Sequence, residues 1–337
     1  MLEKIRTEKL RVGMYVILPL SWLTHPFLKN RFSITSEKQI RQILDCGVAE
    51  ITVDLSKSTV FEGNEPADRI EGERVPTSIV PDELREAIYD KKSPLPEKAK
   101  AVHRHSTRMI KRLMEAPTAE NIGEAKKGIY DVVGLILSDN AISYHLTRIT
   151  SHDYYTYTHC VSVGVLAVSL SKELFKRSSA HDMYELGAGF FLHDLGKVFV
   201  DERILNKPGK LTDEEMKQVQ CHPALGHRIL SKTNQLTDEC ATVVLQHHER
   251  DDGKGYPKGL KGSEIHEYGR ICSLADVYDA LTSKRPYRKR LKPFDALKLM
   301  KEEMIHHFQR DMFEQFILLL SKPWEGQGLS GDACVCS

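Results

Sequence analysis

The sequence lacks most of the features that would settle a class at once. Its seven cysteines include no CxxC pair, so neither a thiolate zinc site nor a disulfide framework is written into it, and reduced thiols in a cytoplasmic protein are expected. There is no long hydrophobic run. The longest mostly apolar stretch, Cys160–Leu170, is 11 residues, is broken by Ser162 and Ser169, and is too short to span a bilayer, so no membrane partner is expected. The opening MLEKIRTEKL carries no apolar core of signal-peptide type. Nor is one charge in surplus: 48 Lys and Arg stand against 47 Asp and Glu, with no basic block. That balance excludes a groove for polymeric nucleic acid, while a few clustered cations could still hold a small phosphate ligand.

What is present reads as two regions, as 337 residues suggest. Residues 8–20 read as a strand region, with Leu10-Arg11-Val12 and Tyr15-Val16-Ile17 on either side of Gly13. Ser36 and Gln39 have capping-box spacing; Ile40, Ile43 and Leu44 recur at helical spacing, and Gly47 stands where a C-terminal cap belongs. Val48–Leu55 resumes β-type residues. Five prolines between Ser56 and Pro96 mark a linker, with a short helix at Asp82–Asp90. Beyond it the chain turns helical. Thr118 is a plausible N-cap for a stripe of Ile122, Ala125, Ile129, Val132, Val133 and Ile136, and further helices fit around 140–176, 181–195, 212–231, 237–249, 263–283 and 293–320. The expected organisation is a small α+β unit over 1–60, a flexible linker over 61–97, connecting helices over 98–138, an all-α domain over 139–321 and a disordered tail over 322–337.

Histidine and aspartate fall at particular places in that helical region. His159 sits in THCVSVGVLAVSL, His193-Asp194 end YELGAGFFLHD, His222 opens CHPALGHRIL, His247-His248 follow ATVVLQ, and Asp276 lies in ICSLADVYDALTS. Any one of these, alone, reads equally well or better as a hydrogen-bonded core residue, a helix-end pair or a cap. Seven together, on separate apolar helices, each need a buried partner, and a shared metal cluster satisfies them all. Cys160 and Cys221 each adjoin a candidate ligand but point elsewhere on a helix, so packing is their expected role. Imidazole and carboxylate suit Fe, Mn, Ni or Zn.

Adjacent histidines diverge by about 100° on a helix, so His247-His248 fit a site with two ions. Two metals bridged by a carboxylate are machinery for phosphate-ester hydrolysis, with Asp194 the natural bridge and a water between the ions becoming the attacking hydroxide. Lys197, three residues on, could neutralise a phosphate oxygen, and Arg285 and Arg288, nine and twelve residues past Asp276, could clamp a second phosphate; as isolated residues all three would be solvated cations. The glycines of HHERDDGKGYPKGL let a loop fold close over substrate, with Gly255 and Tyr256 as its contact residues.

These motifs, HD at His193-Asp194, HHE at His247–Glu249, DGKGYPKGL at Asp252–Leu260 and ADVYDALTSKRPYR at Ala275–Arg288, resemble the HD-GYP domain of the HD phosphohydrolases, over about Thr118–Leu320. KLRVGMYV at Lys9–Val16 resembles the small DUF3391 domain that precedes some of them. The resemblance implies an all-α HD-type helical bundle carrying the metal site, with residues 139–321 as catalytic domain, preceded by a small α+β N-terminal domain. It also implies a phosphodiesterase that opens cyclic di-GMP to pGpG and on to GMP. By the same resemblance, His159, His193, Asp194 and Asp276 hold one divalent transition metal, while His222, His247 and His248 with Asp194 hold the other. Fe or Mn come first as the ions, with Ni or Zn as alternatives. Lys197, Tyr256, Arg285 and Arg288 fall where the family contacts its substrate. Signalling proteins docking through the GYP loop or the N-terminal domain, and a homodimer, are further partners the resemblance admits. One departure is Tyr155, where some members carry a glutamate that helps to hold a third metal; two metals are expected here. The competing readings are a cyclic di-GMP sensor or adaptor with little catalysis, and an enzyme for another cyclic dinucleotide.

Overall fold

The computed structural model describes residues 2–18, 31–34, 36–59, 78–149, 155–284 and 290–322. The chain divides into two compact units, Met1–Thr77 with Ala116–Thr118, and Ser78–Glu115 with Ala119–Ser337.

The first unit contains β1 (Leu2–Arg6), β2 (Tyr15–Ile17), β3 (Arg31–Ser33), α1 (Glu37–Asp45) and β4 (Glu50–Asp54). The strands form one antiparallel sheet in the order β1-β4-β2-β3, with Ile5 opposite Ile51 and Val16 opposite Phe32 and Val53. Alternation along β4 turns Ile51 and Val53 to one face, where they meet Val16, Ile34 and, from α1, Ile43. Ser36 caps α1 by accepting from Gln39 N–H, and Gly47 takes a φ of +69° just beyond it, as the local sequence requires. Two features differ from the sequence reading. Leu10–Val12 is not a strand: Leu10 N–H closes a 3-10 turn over Thr7–Lys9 by bonding Thr7 O, and Gly13 turns the chain at φ +96°. In its place β1 and β3 complete the sheet. Both lie at its edges, where mostly exposed side chains erase the alternation that marks a strand.

The second unit is helical. It comprises α2 (Asp82–Tyr89), α3 (Leu95–Glu115), α4 (Ala119–Ser138), α5 (Asn140–Leu146), α6 (Thr156–Phe175), α7 (Met183–Leu192), α8 (Glu202–Leu205), α9 (Asp213–Gln220), α10 (His222–Lys232), α11 (Asp238–Gln246), α12 (Glu267–Thr282), α13 (Pro293–Glu303) and α14 (Arg310–Ser321). α6 and α7 form its centre: α6 is buried without interruption from His159 to Ser171 and α7 from Leu186 to Leu192, as befits helices apolar on every side. α6 packs on α3, α7 and α12, and α7 packs on α4 and α11. The α6–α7 contact depends on Gly164, where a Cβ would lie 2.4 Å from the ring of Phe191. The stripe expected on α4, from Ile122 to Ile136, is fully buried.

Several helices are shorter than the sequence periodicity suggested. The span 140–176 contains α5, which ends at Leu146, and α6, which starts at Thr156. The span 212–231 breaks at Cys221, because Pro223 in the first turn of α10 has no N–H with which to continue α9. That break places His222 at a helix start. The span 293–320 is likewise divided between α13 and α14. Among the described residues no helix is long and apolar enough to cross a membrane.

α3 turns His103 inward, with Nε2 3.3 Å from Ser162 Oγ on α6. Burial pushes its pKa down to about 4, against a weaker pull from Asp279. The unfolded chain takes up this proton near pH 6.5, the folded chain only near pH 4, so stability falls as pH drops between the two and is unaffected above them. The full loss is about 3 kcal/mol at 1.36 kcal/mol per pH unit. Urea titrations at pH 7 and pH 4.5 are expected to show the wild type losing about 2 kcal/mol more stability than His103→Gln, in which the other buried histidines still titrate; equal losses would refute the assignment.

Candidate metal centre

Five helices deliver the seven side chains singled out in the sequence. His159 comes from the first turns of α6 and Asp276 from the middle of α12; His193 and His247 cap the C-termini of α7 and α11; His222 opens α10. Asp194 and His248 follow directly on the capping histidines. Helix ends explain the adjacent pairs: beyond the terminus the chain leaves the 100° helical step, so that His247 and His248, with rings 4.2 Å apart, turn to the same side. All seven converge, and all but His248 are buried.

They form two donor groups that share one residue. Asp194, His222, His247 and His248 bring ligand atoms within 4.8 Å of one another, and so do His159, His193 and Asp194. On one side, Asp194 Oδ1 lies 3.2 Å from His222 Nε2 and 3.8 Å from His247 Nε2. On the other, Asp194 Oδ2 lies 3.5 Å from His193 Nε2 and 3.7 Å from His159 Nε2. Asp276 links the groups, with Oδ1 2.8 Å from His159 Nε2 and Oδ2 3.4 Å from His248 Nδ1.

The protonation pattern fits cations. A carbonyl only accepts, so Nδ1–H donates from His222 to Val219 O (2.7 Å), from His247 to Val244 O (2.9 Å) and from His193 to Phe190 O (2.8 Å). The lone pairs are thereby left on Nε2, aimed inward. His222 Nε2 and His247 Nε2 are only 3.0 Å apart, and His193 Nε2 is buried with no hydrogen-bond partner. Facing lone pairs repel, and a cation among them turns the repulsion into coordination. Protons are a poor substitute: burial pushes His247 well below the ordinary imidazole range and His248 down to about 3. Burial opposes ionisation of Asp194, but the Lys197 ammonium, 2.6 Å from Oδ2, outweighs it and holds the carboxyl well below the usual range. Asp276 is also held well below the usual carboxylate range despite its burial. Proton-free imidazoles and ionised carboxylates are the donor set a divalent transition metal takes. Cys160 adds no thiolate, since burial raises its pKa well above the ordinary thiol value.

Around this centre the other expected residues take definite places. Lys197, in the 3-10 turn Leu195–Phe199, puts Nζ 2.6 Å from Asp194 Oδ2, a closer tie to the ligand than its expected phosphate contact requires. The Tyr256 ring lies 4.6 Å from that of His248, tilted by 33°. Gly255 passes so close to the end of α11 that a Cβ would sit 2.5 Å from His248 O, so only glycine fits. Tyr155 precedes α6, is 54% exposed and stacks on Tyr157, and it offers no carboxylate. Arg285 and Arg288 lie outside the described residues, as do residues 61–77 of the linker expected over 61–97 and most of the expected tail; from Ser78 onward the expected linker is structured, with α2 and the start of α3. A third donor group, Asp252, His306 and His307, is half exposed, and Arg250 already bonds both oxygens of its carboxylate.

Comparison with known proteins decides the family. A model of the HD domain matches residues 147–312, and one of a domain of unknown function, DUF3391, matches residues 2–126. The chain is 32% identical to a cyclic di-GMP phosphodiesterase of Pseudomonas aeruginosa over 94% of its own length and 76% of that protein's. The chain belongs to the HD-GYP family of HD-domain phosphodiesterases. It is also 39% identical, over 45% of its own length and 32% of the relative's, to a 3'3'-cGAMP-specific phosphodiesterase of Vibrio cholerae. Its fold matches that of an HDG"Y"P protein of Bdellovibrio bacteriovorus at a TM-score of 0.61, with 16% identity, covering 96% of this chain and all of the other. The expectation of an HD-type helical bundle behind a small α+β domain therefore holds.

Two residues of this HD-GYP protein lie inside the quoted motifs but received no role from the sequence. Asp279 Oδ2 accepts from His159 Nδ1–H at 2.7 Å and from Ser283 Oγ at 3.2 Å, which fixes the His159 ring and turns its Nε2 inward. Its signal was the spacing from Asp276, three residues along one helix face. The other is Glu249, whose carboxylate bonds the GYP loop rather than the centre.

Proposed function

We propose that this chain hydrolyses cyclic di-GMP, opening one phosphodiester bond to give linear pGpG, at a centre of two divalent ions, Fe or Mn. The observation that carries the reading is Asp194, the one residue common to both donor groups. The substrate class is supported by the Pseudomonas relative, which carries that activity in its name and aligns along most of its length. In this reading His159, His193 and Asp276 hold one ion, His222, His247 and His248 hold the other, and Asp194 serves both. Ions so held would acidify a water molecule and offset phosphate charge. Lys197 keeps Asp194 ionised and fixed in direction. Tyr256 offers a ring face beside His248 to the base end of the substrate, Gly255 lets the loop come that close, and Arg285 and Arg288 take the phosphates. Tyr155 supplies no ligand for a third ion, so pGpG accumulates rather than GMP.

The Vibrio relative favours one variation, a mixed guanine–adenine cyclic dinucleotide as substrate. Purified protein reconstituted with Mn or Fe is to be incubated in parallel with cyclic di-GMP and 3'3'-cGAMP, with products separated by chromatography. Faster release of pGpG from cyclic di-GMP is expected. Preference for 3'3'-cGAMP would move the substrate assignment, and saturable binding of cyclic di-GMP without turnover would leave a sensor in place of an enzyme.

A further inference from the structure

Glu249 follows the two ligand histidines directly, yet its side chain turns away from the metal centre. It is only 2% exposed, so its carboxylate needs partners inside the protein. Both come from the main chain of the loop: Oε1 accepts from Lys258 N–H at 2.7 Å and Oε2 from Leu260 N–H at 2.9 Å. Gly259, between those two amides, has a φ of +67°, which points successive N–H groups to one side. At the other end of the loop, Tyr256 N–H donates to His248 O at 3.1 Å. A single bridge between Asp252 and Lys261 closes the base. The loop is therefore tied to the metal-bearing helix end by one backbone bond beside Tyr256 and by both oxygens of one buried carboxylate.

We propose that Glu249 is a positioning residue that clamps the Tyr256 loop against His248, so that the loop meets the base end of a cyclic dinucleotide already formed. The inference rests on the cyclic dinucleotide reading given above. The carboxylate accepts from two amides at once. An amide side chain accepts from one and turns its own NH₂ towards the other, leaving a buried donor unmet, at a cost that corresponds to about tenfold in an equilibrium.

The test compares the full wild-type chain with Glu249→Gln, both loaded with Mn. Hydrogen exchange at the Lys258 and Leu260 amides is expected to speed up about tenfold or more in the variant, with metal content unchanged. The KM for cyclic di-GMP is expected to rise about tenfold while kcat stays within about threefold. Hydrolysis of bis(4-nitrophenyl) phosphate, a small diester with no base for the loop to hold, should be preserved. Loss of metal, or equal loss on both substrates, would make Glu249 a support of the metal centre and overturn the clamp; so would unchanged exchange and KM. If the wild type hydrolyses the small diester and not cyclic di-GMP, the substrate reading fails, and the exchange measurement still decides whether Glu249 holds the loop.

Discussion

Asp194→Asn is expected to lower turnover by on the order of a thousandfold or more and to strip the chain of part of its metal. The substitution keeps shape and removes one charge, which isolates the electrostatic role. Asp194 is fully buried; Oδ1 faces His222 and His247, while Oδ2 faces His193, His159 and the Lys197 ammonium at 2.6 Å. An asparagine has no neutral way to occupy that position. With its NH₂ towards Lys197 it sets donor against cation. With its NH₂ towards His222 and His247 it donates to the lone pairs a metal would use. Either arrangement removes the one negative charge common to both donor groups. Elemental analysis alongside a turnover assay checks this, with at most half the wild-type metal per chain expected. A variant that retained wild-type metal and rate would remove Asp194 from the bridging position.

The residues that define this centre were legible in the sequence for a physical reason. Histidine and aspartate inside THCVSVGVLAVSL or YELGAGFFLHD break the rule that buried ionisable groups are rare unless partnered, and that violation is local to a few residues. The caps of α1 and the buried stripe of α4 were readable in the same local way. Asp279 and Glu249 were not, because an acid on an amphipathic helix or at a loop is unremarkable until its partner is known. Asp279 meets His159 across 120 residues of sequence, and Glu249 meets Leu260 only after the loop reverses. Helix breaks were obscured for a related reason: α9 and α10 keep compatible periodicity on both sides of Cys221, so only Pro223 signals that the axis changes. At β1 and β3 the difficulty is the edge of the sheet, where few inward residues remain to mark a strand. Sequence is thus most informative here where chemistry conflicts with burial, and least where one ordinary residue is fixed by a distant one.

That conflict also predicts how stability responds to metal. The Nε2 atoms of His222 and His247 lie 3.0 Å apart and His193 Nε2 is buried without a hydrogen-bond partner, so removing a cation from between them would leave unmet polar groups at the centre of the fold. A divalent metal satisfies them in the folded state, and the unfolded chain, with its candidate ligands dispersed over 118 residues from His159 to Asp276, has no site to compete. Metal at about a thousandfold excess over its Kd stabilises by about 4 kcal/mol per ion, which for a helical unit of this size corresponds to roughly 10 °C in Tm per ion. Calorimetry of stripped and reloaded protein is expected to show that increase, with His222→Ala keeping only the share due to the His159 and His193 side. The two-group geometry makes the halving the informative result. An increment lost altogether in His222→Ala would mean a single cooperative site, and one left intact would mean that His222 binds no metal.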